Sequence, residues 1–303
     1  MIQLLHGTNI PFMKYRHIAY WFSGLLIATT IVWIVMHGGP RYSVDFTGGT
    51  LIQIRLSKEL PADQLRDALA NAGFHGIELQ QLTGEHRNEF IIRMASQDNP
   101  FPAVSQAIAT RFPGESVELR RSESVGPKVG SELRQKAVWA VLSSLGAILL
   151  YVGVRYEFKF ALGAVVALFH DVFVTLGLLC FINREFSLTV LAALLTLAGF
   201  SINDKIVVFD RIRERQKSLR KETHSRVMDI AVNETLSRTI ITNITVLLSG
   251  IALLVWGGDV LRDFSLAIVL GMLLGTYSSV MLASALALDI WIYIDRRKGV
   301  QAS

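Results

Sequence analysis

Apolar residues along the chain collect into six runs of about 18 or more, at 18–36, 137–154, 160–182, 186–209, 239–257 and 264–288, the last carried as a span to residue 291. Each is long enough, at about 1.5 Å per helical residue, to cross a hydrocarbon layer roughly 30 Å thick. Between the first two runs, residues 37–136 change to the alternation of a soluble domain. Here 42–46 and 51–56 predict strands around Gly48 and Gly49, and 61–72 an amphipathic helix opened by Pro61. Residues 77–82 and 90–94 predict strands around a polar turn at 84–88, 102–112 a second helix and 116–121 a last strand. The order β, α, β, β, α, β is the ferredoxin-like split βαβ arrangement, with an additional hairpin strand in front. The predicted fold is an α-helical polytopic membrane protein of six transmembrane helices, with an α+β ferredoxin-like domain between helices 1 and 2.

Composition agrees with this picture: 51% of the 303 residues are hydrophobic and only 18% charged, against about a quarter charged in soluble domains. The first run is too long for a signal-peptide core, and Met36-His37-Gly38-Gly39-Pro40 after it is not a small-x-small cleavage site, so it is read as an uncleaved helix. The net charge of +5 invites a nucleic-acid reading, but its distribution argues otherwise. Lys14, Arg16, Arg155, Lys159, the run from Arg211 to Arg226 and Arg296-Arg297-Lys298 all fall on one side of the spans, and the short loops opposite carry only Arg184 and Arg262. By the positive-inside rule, the expected arrangement has a cytoplasmic N-terminus (1–17), an extracytoplasmic domain (37–136), a cytoplasmic basic loop (210–238) and a cytoplasmic tail (292–303). The single Cys180 excludes a disulfide within the chain and a cysteine-based zinc site. The inserted domain has no paired nucleophile and base and no phosphate loop, so it reads as a contact module. No cofactor or metal is expected.

Ionisable groups inside spans cost a few kcal/mol each on insertion scales and need a partner, water or a role. The candidates are His170 and Asp171 in the third span, Asp204 and Lys205 in the fourth, Arg238 at the entrance of the fifth and Asp289 late in the sixth. Asp289 lies near the basic tail, and the Lys205 stem is expected to snorkel toward the headgroups. Asp204 and Arg238 come to similar depths on antiparallel neighbours, where an ion pair is geometrically possible. Thr242, Thr245 and Ser249 continue the Arg238 face, and Ser201 stands one turn before Asp204. Such a seam either passes protons along water, with the arginine tuning the carboxylate, or is a buried salt bridge that fixes helix register. For His170-Asp171 the register reading is favoured, since adjacent residues diverge by about 100° on a helix. Gly271, Gly275, Ser279 and Ala283 recur every four residues, a GxxxG-type face read first as packing within one subunit and second as a subunit interface.

Several motifs have a family likeness. Val44-Asp45-Phe46-Thr47-Gly48-Gly49-Thr50, Ser124-Val125-Gly126-Pro127, His170-Asp171-Val172, the run from Gly199 to Glu214 and Asn233-Glu234-Thr235-Leu236-Ser237-Arg238-Thr239 resemble the SecF family of membrane subunits of the bacterial Sec protein-export machinery. The likeness extends over nearly the whole chain in order. It implies half of a transporter of the resistance-nodulation-division class in the bacterial inner membrane, paired with SecD and associated with SecYEG, YajC and YidC. It further implies use of the proton motive force to draw preproteins out. By position Asp204 and Arg238 would be the family's proton-pathway carboxylate and arginine, Thr242 a polar neighbour, and Asp171 a motif residue of unassigned role. The principal carboxylate would belong to SecD. Asp45, Phe46, Gly48 and Gly49 would shape the base of the periplasmic domain, with a tight strand turn as the simpler account. Two rivals remain: a structural subunit whose ion pair only holds the bundle, and an intramembrane aspartyl protease using Asp171 and Asp204. Against the protease, neither acid lies in a Tyr-Asp or Gly-x-Gly-Asp context.

Overall fold

The computed structural model describes residues 8–82, 87–95, 99–156 and 158–297, without the side chains at 158, 159, 259 and 260. Most of the predicted turn at 84–88 and the residues from Lys298 onward lie outside the described residues, as does the Lys159 side chain. The chain divides into two compact units, Met1–Arg41 with Trp139–Ser303, and Tyr42–Val138.

The smaller unit is a four-stranded antiparallel sheet in the order β2-β3-β1-β4, built from β1 (Gly49–Leu56), β2 (Glu78–Gln81), β3 (Glu89–Met94) and β4 (Val117–Val125). The helices α3 (Ala62–Asn71) and α4 (Phe101–Arg111) follow β1 and β3, which is the ferredoxin-like arrangement. Alternation along β1 decides which face they cover. Ile52, Ile54 and Leu56 join Leu65, Leu69, Phe90, Ile92, Val104 and Ile108 in one core. Ile52 pairs with Ile92 and Ile54 with Phe90 across β1 and β3. Gln53 and Arg55 point the other way and close on Glu89, at 2.7 Å from Gln53 Nε2 and 2.8 Å from Arg55 Nε. A buried carboxylate is thereby paired.

The predicted strand at 42–46 is instead a single helical turn, α2 (Val44–Thr47), opened by Ser43, whose Oγ accepts from the Asp45 backbone N–H. A short hydroxyl at the N-cap competes effectively with strand formation. The chain then leaves this turn through two glycines in the left-handed region, Gly48 at φ +74° and Gly49 at φ +110°. A Cβ on Gly48 would stand 2.8 Å from Pro127 Cα, and one on Gly49 2.6 Å from the Met94 carbonyl oxygen. Gly130 in turn approaches the Gly48 amide, where a Cβ would lie 2.9 Å away. The motif is thus a contact point between α2, the start of β1, the end of β3 and the start of α5 (Pro127–Arg155).

The larger unit holds α1 (Arg16–Met36), residues 139–155 of α5, α6 (Phe158–Phe181), α7 (Leu188–Ser218), α8 (His224–Trp256), α9 (Gly258–Tyr277) and α10 (Ser284–Arg297). Among the described residues, six helices have the length and apolar composition to cross a membrane, the last running Leu261–Arg297. The last is not regular throughout: Ser278–Ala283 between α9 and α10 form a π-helical segment, a widening that recurs at functional sites. α6, α7 and this last helix make the buried centre, while α1, α5 and α8 turn much of their apolar surface outward, as lipid-facing helices do.

The basic segment at 210–238 is not an open loop. α7 runs on to Ser218, and α8 begins at His224 beneath the Thr223 cap. Arg211 and Arg215 of one arm both bind Glu234 of the other, at 2.7 and 2.8 Å from their Nε atoms, and Glu214 takes Arg211 as an i, i+3 partner. The stretch before α1 is held down as well: Asp229 accepts from the Met13 amide, and Asn233 exchanges two hydrogen bonds with Ile10.

Gly49→Ala is expected to cost about 1–3 kcal/mol, the range for an unfavourable backbone geometry, and to be felt mainly in the smaller unit. Amide exchange on the intact chain checks this: β1 should lose protection while α6 and α7 keep theirs, and unchanged β1 protection would show that the bare Cα is not needed.

Candidate functional site

Two polar nodes lie on opposite sides of α7, one facing into the bundle and one facing out. The inward node is built on Asp171 of α6 and Lys205 of α7, both without solvent exposure. Lys205 therefore does not snorkel. Its stem is enclosed, and its Nζ lies 2.8 Å from Asp171 Oδ2. Ser201, one turn earlier on α7, and Ser278 of the π-helical segment each donate to the same carboxylate oxygen at 2.6 Å. The ammonium also donates to Ser201 Oγ and Ser278 Oγ, the latter at 3.0 Å, with Ser279 Oγ at 3.4 Å. Three ammonium hydrogens thus find acceptors, which is what a buried lysine needs if it is to stay charged.

His170 Nδ1 lies 3.0 Å from Asp171 Oδ1, while its Nε2 is buried without a hydrogen-bond partner. Both residues of the His170-Asp171 pair are enclosed, although they diverge around the helix. Asp171 faces α7 and the π-helical segment, and the imidazole sits beside the Tyr277 ring at 6.5 Å.

Close approach here depends on small residues. A Cβ on Gly271 would overlap the Leu197 side chain of α7, while one on Gly275 would be in ordinary contact, 3.7 Å from Ser201 Oγ and 3.9 Å from Asp171 Oδ2. Gly271, Gly275 and Ser279 therefore meet α7 inside this chain. Gly163 of α6 faces the backbone of Ala283 and Ala287. Asp289 binds Arg16 Nε at 3.2 Å and the Tyr20 hydroxyl at 2.7 Å, tying α10 to α1.

The outward node centres on Asp204, on the other flank of α7 and 6% exposed. The Asn243 amide of α8 stands near its carboxylate and donates to Thr276 Oγ1 of α9 at 2.8 Å. Thr239 Oγ1, one turn before Asn243, is buried without a partner. Arg238 is exposed and makes no direct ion pair with Asp204; the two act on each other through space. Thr242, Thr245 and Ser249 share the exposed face of α8, and their hydroxyls bond back to carbonyls of their own helix, Thr242 to Arg238 at 3.0 Å. The predicted seam is thus one helix face, directed out of the bundle. Asp171 and Asp204 engage different partners and do not share a site.

Sequence reasoning set Lys205 aside and did not single out Ser278 or Asn243. The i, i+4 placement of Lys205 after Ser201 was the available signal. Pairing with Asp171 across helices carries none.

A six-helix membrane bundle with buried charges and a ferredoxin-like insert after its first helix places the chain among integral membrane proteins. Two family models match the chain: "Protein export membrane protein SecD/SecF, C-terminal" over residues 104–292, and "SecD/SecF GG Motif" over 33–59. The protein translocase subunit SecF of Vibrio alginolyticus is 42% identical over 300 residues, covering 96% of this chain and 93% of that protein. SecF of Escherichia coli O157:H7 is 40% identical, covering 95% and 90%. The crystal structure of SecDF from Thermus thermophilus, described as a translocon-associated membrane protein, superimposes with a TM-score of 0.85 at 38% identity. It covers 97% of this chain, which spans 40% of that one. The chain belongs to the SecD/SecF family of protein-export membrane proteins, as a SecF-type protein translocase subunit.

Lys205→Met is expected to leave the Asp171 carboxylate buried without its counter-ion and to cost about 3–5 kcal/mol. Replacing both groups, Lys205→Met with Asp171→Leu, is expected to cost clearly less. Unfolding of the purified variants in detergent checks the difference; equal losses would show that the pair does not act as a unit.

Proposed function

We propose that this chain forms one half of a proton-driven export device, with a SecD-type subunit covering the α8 face that carries Arg238, Thr242, Thr245 and Ser249. The observation that carries the reading is that this face pairs a cation and three hydroxyls with no side-chain partner among the described residues, beside Asp204. A cation at membrane depth is costly facing lipid and becomes stable facing a carboxylate of a neighbouring subunit. The single-chain SecDF of Thermus thermophilus, 41% identical over 285 residues and matched along 38% of its length, supports a SecD-type partner.

In this reading the chain sits in the bacterial inner membrane with both termini cytoplasmic and the α+β unit periplasmic. Asp204 takes up a proton arriving from the periplasm, which removes its attraction to Arg238 and changes the charge at the subunit interface. The inward node remains saturated and keeps α6, α7 and the last helix together. The change therefore biases packing between subunits more than within this one. Each charge moved through 100 mV yields about 2.3 kcal/mol, enough to shift such an equilibrium more than tenfold. Coupled movement of the periplasmic units alternately holds and releases preprotein emerging from a SecYEG channel, with YajC and YidC as associated subunits.

Asp204→Asn and, separately, Arg238→Lys are expected to abolish the proton-gradient-dependent part of preprotein export at normal protein abundance. The measurement is export into proteoliposomes or vesicles with and without an imposed gradient. Gradient-dependent export that persists in both variants would refute the relay, and a fall in abundance would assign the two residues to assembly.

A further inference from the structure

At the far end of the hairpin from these nodes, the last turns of α7, the connection at 219–223, the start of α8 and Trp291 of α10 enclose a cleft of about 450 Å³. That volume is within the range of ligand clefts, about 300–1,000 Å³. Arg213, Lys217, Arg220 and His224 line it, with Glu222 as the one carboxylate among the lining residues. The same helix end shows what charge compensation looks like, since Arg211 and Arg215 are held by Glu214 and Glu234. Arg213, Lys217 and Arg220, by contrast, make no salt bridge or side-chain hydrogen bond among the described residues. Three uncompensated cations around one concave space are stable there only if an anion or its equivalent in solvent neutralises them.

Two further features narrow the anion. The amino end of α8, a helix of 33 residues, opens on the cleft at His224, so the positive end of its dipole adds to the field. The floor is apolar and flat: His224 stacks on Trp291 with ring centroids 3.9 Å apart and planes 13° from parallel, beside Val227. His224 is itself fixed by Asp295 at 2.8 Å. Depth supplies the last constraint. The apolar run of α7 ends at Phe209, and Arg213 stands four residues later, about 6 Å along the axis.

A phosphate with an apolar body behind it, presented at the edge of the hydrocarbon, satisfies all of these features. We infer that the cleft binds the phosphodiester head group of an anionic phospholipid, with Arg213, Lys217 and Arg220 on the phosphate and the His224-Trp291 stack against its glycerol. Basic residues between membrane helices recognise such head groups in this way, each cation contributing roughly fivefold in affinity.

The test is titration of the intact chain in detergent, followed by native mass spectrometry, with short-chain phosphatidylglycerol, short-chain phosphatidylcholine and inorganic phosphate. Phosphatidylglycerol is expected to bind well ahead of the other two. Arg213→Gln, Lys217→Gln and Arg220→Gln together are expected to weaken it about a hundredfold. Lys14→Gln, Arg155→Gln and Arg297→Gln, an equal loss of charge outside the cleft, are expected to leave it unchanged. Glu222→Gln removes the one carboxylate and is expected to strengthen binding, which keeps the test decisive if the triple variant folds poorly. Equal loss in the two triple variants, equal binding of phosphatidylcholine, phosphate binding as tight as the lipid, or no gain in Glu222→Gln would each overturn the assignment.

Discussion

An ammonium and a carboxylate that meet no solvent hold the centre of this membrane bundle. Neither Lys205 nor Asp171 is stable alone in hydrocarbon, and each becomes so only when its hydrogen-bonding capacity is filled by the other and by Ser201 and Ser278. That requirement brings α6, α7 and the π-helical segment to one point, and several other features follow from it. Gly275 brings the last helix into van der Waals range of Ser201 and Asp171, where a Cβ would stand 3.7 and 3.9 Å from them. The widened turn at Ser278–Ala283 puts the Ser278 and Ser279 hydroxyls on the ammonium. Gly163 allows α6 to reach the backbone beyond that turn.

The two flanks of α7 differ in how far their polar groups are satisfied, and the proposed function rests on that contrast. On the inner flank nearly every polar atom has a partner, with His170 Nε2 as the exception, so that face resists rearrangement. On the outer flank Asp204 has no side-chain hydrogen bond or ion pair of this kind among the described residues, the nearby Asn243 amide donating to Thr276, and the arginine and hydroxyls of α8 point away from the bundle. In the function proposed above, a rigid interior beside an incompletely satisfied exterior separates the face that responds to a neighbouring subunit from the face that maintains the fold. Both nodes use consecutive residues, Asp204 and Lys205, and the divergence of about 100° between neighbours on a helix is what separates the two tasks.

The α+β unit follows a different constraint, the space available to a backbone. Gly48 and Gly49 occupy left-handed conformations with a proline Cα and a carbonyl oxygen where a Cβ would be. The geometry explains why a pair of glycines, rather than one, marks the matched motif: one residue ends the Ser43-capped turn and the next begins β1 against β3.

Hydrophobic periodicity by itself determined the six helices, the βαββαβ order and the rank of polar positions on α8, because these depend on local length and spacing and on the cost of charge in hydrocarbon. It could not show that 42–46 would yield to a helical turn, since a serine cap decides the matter over a few residues. Nor could it show that 210–238 would fold as two helical arms, because Glu234 must cross between them to hold Arg211 and Arg215. Spacing placed Arg238, Thr242, Thr245 and Ser249 on one face, yet the direction of that face, outward, is a property of how α8 rotates against α7 and α9. The fate of Lys205 shows the same division most clearly. A lysine near a span end snorkels unless an acid waits within reach, and whether Asp171, on another helix, waits there is decided by the packing of three helices and by no residue's own sequence.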